Sequence, residues 1–328
     1  MGGLFAPVSR EGALVLNNLL LATATATVFL GTLYPLFLDA LGGDKVSVGA
    51  PFFNATFVPI MAPLIVAMAV GPLLSWKRAD LSGALQRLSA AFAATVAVAL
   101  ATLYLARGGP VLAVFGIALA AWLFFGTLSE FAERVRLFRA PLADSIQRAA
   151  QLPRASYGML IAHAGMAFTV AGITATASWE SESIAAMRPG DRSRLAGYEF
   201  TLLGVRQNLQ GPNYTAEQAS LAVTRGGKEI AVIEPAKRFY PVQRQSTNET
   251  AILTAGFTDI YAALGDGDPR AGWTVRLYHK PLVTWIWLGA ALMVAGGLVS
   301  LSDRRFRVGA PTRARRAAAA AQAQAGDD

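Results

Sequence analysis

Polar positions are scarce over six long stretches of this chain. Apolar runs cover Leu14–Leu38, Phe57–Leu74, Leu88–Leu105, Val111–Leu128, Tyr157–Ala177 and Leu282–Leu301. Each is close to the roughly 20 residues that an α-helix needs to cross a hydrocarbon core. The pattern therefore predicts about six transmembrane helices. Between the fifth and sixth runs the periodicity changes to short strand-like segments: Tyr198–Val205, Ala219–Thr224, Lys228–Glu234, Thr250–Thr254 and Trp273–Tyr278. Turn signals at Gly211-Pro-Asn213, Gly226-Gly227 and Gly265–Pro269 separate them. Five or so short strands at this spacing predict a small β domain, an OB-like barrel or a sandwich, with the barrel favoured by size.

Charge adds an orientation. Basic residues gather in Lys77, Arg78 and Arg87, in Arg134, Arg136, Arg139, Arg148 and Arg154, and in Arg304, Arg305, Arg307, Arg313, Arg315 and Arg316. The alternate connections carry one each, Lys45 and Arg107. This is the positive-inside distribution. It predicts a multi-pass membrane protein with both termini in the cytoplasm and the β domain facing outward. The expected organisation is a membrane domain over 1–177 with five spans and an outward β domain over 178–280. A last transmembrane helix over 281–303 and a basic, disordered tail over 304–328 complete it. The net charge of +8 is thus a topology determinant and not a nucleic-acid footprint. The β segment supports this, with 12 Lys or Arg against 11 Asp or Glu.

Composition narrows the chemistry. The chain is 54% hydrophobic, with a mean hydropathy of +0.41. It has no cysteine, so neither disulfides nor thiolate ligands are available. Met1–Arg10 lacks the basic start and small-residue cleavage site of a signal peptide. No phosphate-binding loop, dinucleotide fingerprint, HExxH or serine elbow occurs. Glu130 and Glu133 fall at the end of the fourth span, so no carboxylate lies deep in a span as an ion-coupled transporter requires.

The candidate site residue is His163. It lies in Ser156–Ala177, which has no charged residue. Lipid cannot solvate an imidazole, so it needs a polar partner, a proton pathway or a metal. The small neighbours Ala162, Ala164 and Gly165 suit the approach of a flat group, and an axial ligand to a buried heme fits that picture. A histidine satisfied by a neighbouring helix is the alternative. Met159 and Met166 share its helical face; either is chemically able to be a second axial ligand, and both are read as packing residues. His279, the other histidine, stands among Tyr278, Trp285 and Trp287 and is read as an interfacial residue. Asn17 and Asn18 at the first span's entrance are expected to bond across helices, and Gly49–Asn54 is read as an outward loop.

Several longer motifs occur in order: Val8-Ser-Arg-Glu-Gly-Ala-Leu-Val-Leu-Asn-Asn18, Leu30-Gly-Thr-Leu-Tyr-Pro35, Gly49-Ala-Pro-Phe-Phe-Asn54, Gly71-Pro-Leu-Leu-Ser-Trp76 and Leu301-Ser-Asp-Arg-Arg-Phe306. Over residues 4 to about 307 the chain resembles the CcmF family, the membrane heme-lyase subunit of cytochrome c maturation. The resemblance implies a bacterial cytoplasmic (inner) membrane protein whose β domain over 178–280 is periplasmic, and attachment of heme to the Cys-x-x-Cys-His motif of apocytochrome c outside that membrane. It implies a heme chaperone and thiol-reducing or chaperone subunits as partners, and a membrane-embedded heme b. His163 falls where the family has one axial histidine of that heme. The family's tryptophan-rich heme-handling motif, its external histidines and the other axial ligand belong to an N-terminal half that has no counterpart here. The resemblance therefore implies a C-terminal part, from a longer chain or a split gene, that is inactive without the N-terminal half. The other readings are a non-catalytic scaffold or docking subunit of the same assembly and, more distantly, a transporter.

Overall fold

The computed structural model describes residues 6–43 and 46–303. Lys45 and the basic cluster from Arg304 onward lie outside the described residues. The described helices are α1 (Arg10–Ala40), α2 (Ala50–Val70, continued by a 3₁₀ turn at Gly71–Leu73), α3 (Leu81–Arg87), α4 (Ser89–Leu105), α5 (Val111–Val135), α6 (Leu142–Gln151), α7 (Arg154–Trp179) and α8 (Val283–Leu301). Five of them are long and apolar enough to cross a membrane: α1, α2 with its 3₁₀ turn, α5, α7 and α8. A sixth crossing forms if α3 and α4, bent by 57° at their junction, count as one span.

The chain folds into two compact units. One comprises Met1–Ala101, Ala118–Ala167 and Gly289–Asp328, the other Thr102–Ile117 and Phe168–Leu288. In the first unit, the start of α1 is tied to the segment after α2. Ser9 caps α1 by accepting from the Gly12 N–H at 3.0 Å. Backbone bonds join Ala6 N to Lys77 O, Arg10 N to Ser75 O and Ala79 N to Val8 O at 2.9–3.0 Å. The Glu11 carboxylate accepts from the Lys77 N–H at 2.8 Å.

The start of α2 differs from expectation. Gly49–Asn54 is not a loop: Gly49 is the helix cap, and Pro51 occupies a first-turn position where its missing N–H and fixed φ cost nothing. Phe52 packs on α1, its ring 2.6 Å from where a Cβ on Gly31 would be. Asn17 and Asn18 also differ, since the Asn17 amide donates to its neighbour Asn18 at 3.3 Å rather than across helices.

Helices α7 and α8 approach backbone to backbone. A Cβ on Gly165 would lie 2.6 Å from the Gly289 carbonyl oxygen, and one on Gly158 would lie 2.4 Å from that of Gly296. A Cβ on Gly296 would lie 2.7 Å from the Ala162 nitrogen. Membrane helices gain contact this way because lipid offers no hydrophobic drive for them to associate. Of the small residues around His163, Ala162 and Gly165 thus face α8.

The second unit contains a two-sheet sandwich of ten strands. Its elements are β1 (Ser181–Met187), β2 (Arg192–Leu195), β3 (Tyr198–Gln210), β4 (Thr215–Arg225), β5 (Lys228–Ile233), β6 (Ala236–Tyr240), β7 (Gln245–Glu249), β8 (Ala251–Ala255), β9 (Thr258–Asp268) and β10 (Gly272–Lys280). One sheet runs β1-β10-β9-β8; the other runs β2-β3-β4-β6-β7 with β5 also on β4. All described pairings are antiparallel, and the register sets Phe200 opposite Val223 and Leu202 opposite Leu221. Period-2 alternation sends these side chains inward with Ile260, Leu264, Val275 and Leu277, all buried. Of the two β architectures anticipated, the sandwich is the one formed.

Two stability predictions follow from this packing. Gly165→Leu drives a side chain into the α8 backbone and is expected to destabilise by at least about 1–3 kcal/mol. Gly297→Leu, which enters open space, is expected to be near neutral. Thermal unfolding of the two variants in detergent checks the difference. Phe200→Ala empties the sandwich centre and is expected to cost about 3–5 kcal/mol. Hydrogen exchange of the β3 and β4 peptides reads that loss.

Candidate functional site

His163 is carried by α7 in the first unit. Its Nδ1 atom is buried and has no hydrogen-bond partner among the described residues. An unpaired buried polar group in an apolar setting costs several kcal/mol on the scale of transfer from water, about 2–7. The imidazole borders a cavity of about 200 Å³. Three elements form it: α1 through Arg10, Ala13, Leu14, Asn17 and Leu20, α2 and its 3₁₀ turn through Leu64, Ala67, Met68, Gly71 and Pro72, and α7 through Met159 and His163. The lining is mostly apolar, with Arg10, Asn17 and His163 as its strongly polar members.

Arg10 is the residue that sequence reasoning missed. Its guanidinium stacks over the Trp76 ring at 5.1 Å, and no ion pair of it occurs among the described residues. Arg10 and His163 are more than 150 positions apart in sequence, so no local spacing links them. Met159 does share the cavity with His163, as its i−4 spacing predicts. Met166 does not line it.

The buried carboxylate of α5 is engaged away from this cavity. Glu130, 2% exposed, pairs with Arg134 one turn away at 2.5 Å. Arg134 also donates to the Ser156 hydroxyl at 3.4 Å. A buried carboxylate bridged in this way is a structural pair.

His279 belongs to the sandwich. It lies on β10 between Ser181 of β1 and Ile260 of β9, with its ring 6.3 Å from Tyr198. Partial burial, and then the Arg225 charge, hold its pKa below the ordinary imidazole value. Arg225 itself stacks on Tyr198 at 4.9 Å. In the same unit Trp285 packs edge-on against Phe168 at 4.9 Å and Phe257 at 5.9 Å, while Trp287 is exposed. The two tryptophans thus divide: Trp285 packs and Trp287 faces outward as a belt residue does. No group of three or more His, Asp or Glu suited to a metal occurs among the described residues.

Known proteins match this arrangement along most of the chain. The family model for the CcmF C-terminal beta-sandwich matches residues 178–281. The cytochrome c-type biogenesis protein CycK of Rhizobium meliloti is 49% identical over 318 residues, 97% of this chain and 47% of that protein. The cytochrome c-type biogenesis protein CcmF of Escherichia coli K12 is 36% identical over 300 residues, 91% of this chain and 44% of that protein. A solved structure, cytochrome c heme lyase CcmF, superposes with a TM-score of 0.67 at 28% identity over 90% of this chain and 46% of that one. The chain spans about half the length of the curated relatives it matches. Helices and sandwich together, it belongs to the CcmF family.

Proposed function

We propose that this chain is the C-terminal part of a cytochrome c maturation heme lyase and that His163 is an axial ligand of a membrane heme b. The single observation behind the assignment is the buried, unpartnered Nδ1 of His163, bordering a mostly apolar cavity in a segment without charged residues. The residues fit one axial position. A neutral imidazole is an ordinary heme ligand, and its ligation removes the cost of leaving a ring nitrogen unsatisfied.

A bound heme would supply one-electron transfer to keep an incoming heme reduced. The chain's own residues set the conditions. Leu14, Leu20, Leu64 and Met68 give the cavity an apolar lining. Arg10 presents a guanidinium there, the counter-charge that a propionate requires. The close α7–α8 contact holds His163 in one rotation. The family resemblance would assign the second axial position to the N-terminal half of the lyase; the other histidine of this chain belongs to the sandwich.

The distribution of basic residues puts the sandwich on the periplasmic side and both termini in the cytoplasm. There the sandwich would meet apocytochrome c, its thiol-reducing or chaperone subunits and the heme chaperone, and the membrane helices would pack with the N-terminal half of the lyase. Attachment of heme to apocytochrome c requires that assembled whole.

The test is a reduced-minus-oxidised absorption spectrum of the complete assembly. The b-type signal is expected to vanish in His163→Ala and to keep its band positions in Met159→Leu. An unchanged spectrum in His163→Ala overturns the assignment.

A further inference from the structure

The connection between α5 and α7 has its own architecture, which the heme reading does not use. After Val135 the chain makes a compact turn, with Arg136 and Phe138 at φ of 56° and 66°. These are left-handed conformations that non-glycine residues rarely adopt. The turn directs Phe138 outward, 93% exposed. Helix α6 follows. At 100° per residue, Leu142, Ala143, Ile146, Ala149 and Ala150 fall on one arc, and Asp144, Gln147, Arg148 and Gln151 on the other. Both arcs are uncovered, the apolar one included, with Leu142 68% and Ile146 62% exposed. Yet the helix is pinned: buried Ser145 faces the unit, and the Tyr157 hydroxyl of α7 donates to the Ala149 carbonyl at 2.8 Å.

Three observations identify what covers that arc. The segment is bounded on both sides by membrane spans, so it stays at their boundary. Arg136, Arg148 and Arg154 stand against Asp144 between residues 136 and 154, while Arg139 is paired with Glu133 at 2.8 Å. Beside the turn opens a cavity of about 680 Å³ whose walls include Phe125, Phe131, Leu137 and Phe138, with Arg87 and Arg139 also on it. An apolar recess with cations beside it matches an acyl chain below an anionic headgroup. We propose that α6 lies in the plane of the bilayer interface, with Phe138, Leu142 and Ile146 in the acyl boundary, and that the surrounding arginines bind anionic phospholipid. Amphipathic helices of this kind bind by apolar area together with headgroup charge. Each arginine near an anionic surface strengthens association roughly fivefold.

The absence of cysteine makes the test direct. Single cysteines at positions 142, 146, 144 and 147 are spin-labelled in the chain, reconstituted in vesicles of phosphatidylcholine with or without phosphatidylglycerol. Labels at 142 and 146 are expected to be relaxed by oxygen more than by a water-soluble nickel chelate, with the reverse at 144 and 147. They are expected to lie deeper with phosphatidylglycerol, and Arg136→Gln with Arg148→Gln is expected to erase that difference. Labels at 142 and 146 open to the chelate overturn the proposal. Labels shielded from both relaxers indicate a polypeptide cover, from a partner or a second copy, and also overturn it. Equal depth in both vesicle types overturns the role of anionic lipid.

Discussion

The backbone contact between α7 and α8 is the constraint from which the candidate site follows. With Gly158, Ala162 and Gly165 facing α8, the rotation of α7 about its axis is fixed. His163 is one residue, and so about 100°, beyond Ala162. It cannot share the α8 face and is aimed at the cavity bordered by α1 and α2. Larger side chains on that face would separate the helices and allow α7 to turn. The small residues therefore act on the imidazole indirectly, by fixing the direction in which it points.

Much of this is legible in the sequence, and the parts that are not have physical reasons. The helices are readable because lipid demands uninterrupted apolar runs, a signal with few competitors. The third apolar run coincides with α4, but the bend at Leu88 escapes a sequence reading, since neither proline nor glycine stands at that junction. The start of α2 is missed because Gly-Ala-Pro reads equally as a loop and as a helix cap. Half of the strands are missed for a similar reason. Strand β7 reads Gln-Ser-Thr-Asn-Glu and β2 reads Arg-Ser-Arg-Leu, so neither has the apolar alternation that reveals a strand. Both are held by pairing to a neighbouring strand, which no local pattern records.

The candidate site divides along the same line. His163 stands out because an ionisable group in a lipid-facing sequence is costly. Its surroundings do not, because Arg10 and Met68 reach it through tertiary packing alone. The small flanking residues are visible in the sequence, but not that α8 meets Ala162 and Gly165: smallness shows that something approaches closely, not what does.

The clamp at the base of α1 and α2 has a consequence for biogenesis. It is built from main-chain atoms of Ala6–Arg10 and Ser75–Ala79 together with the Glu11 carboxylate, and uses both the N–H and the carbonyl of Lys77. The side chains of Lys77 and Arg78 are left out of it, and these are charges that bias which side of the membrane retains the segment. Fastening and orientation thus occupy one short stretch without competing for the same atoms. The two helices can enter the bilayer as a closed hairpin, already registered at its foot. A change of residue type in this stretch leaves that registration intact, whereas an inserted residue shifts every bond of the clamp at once.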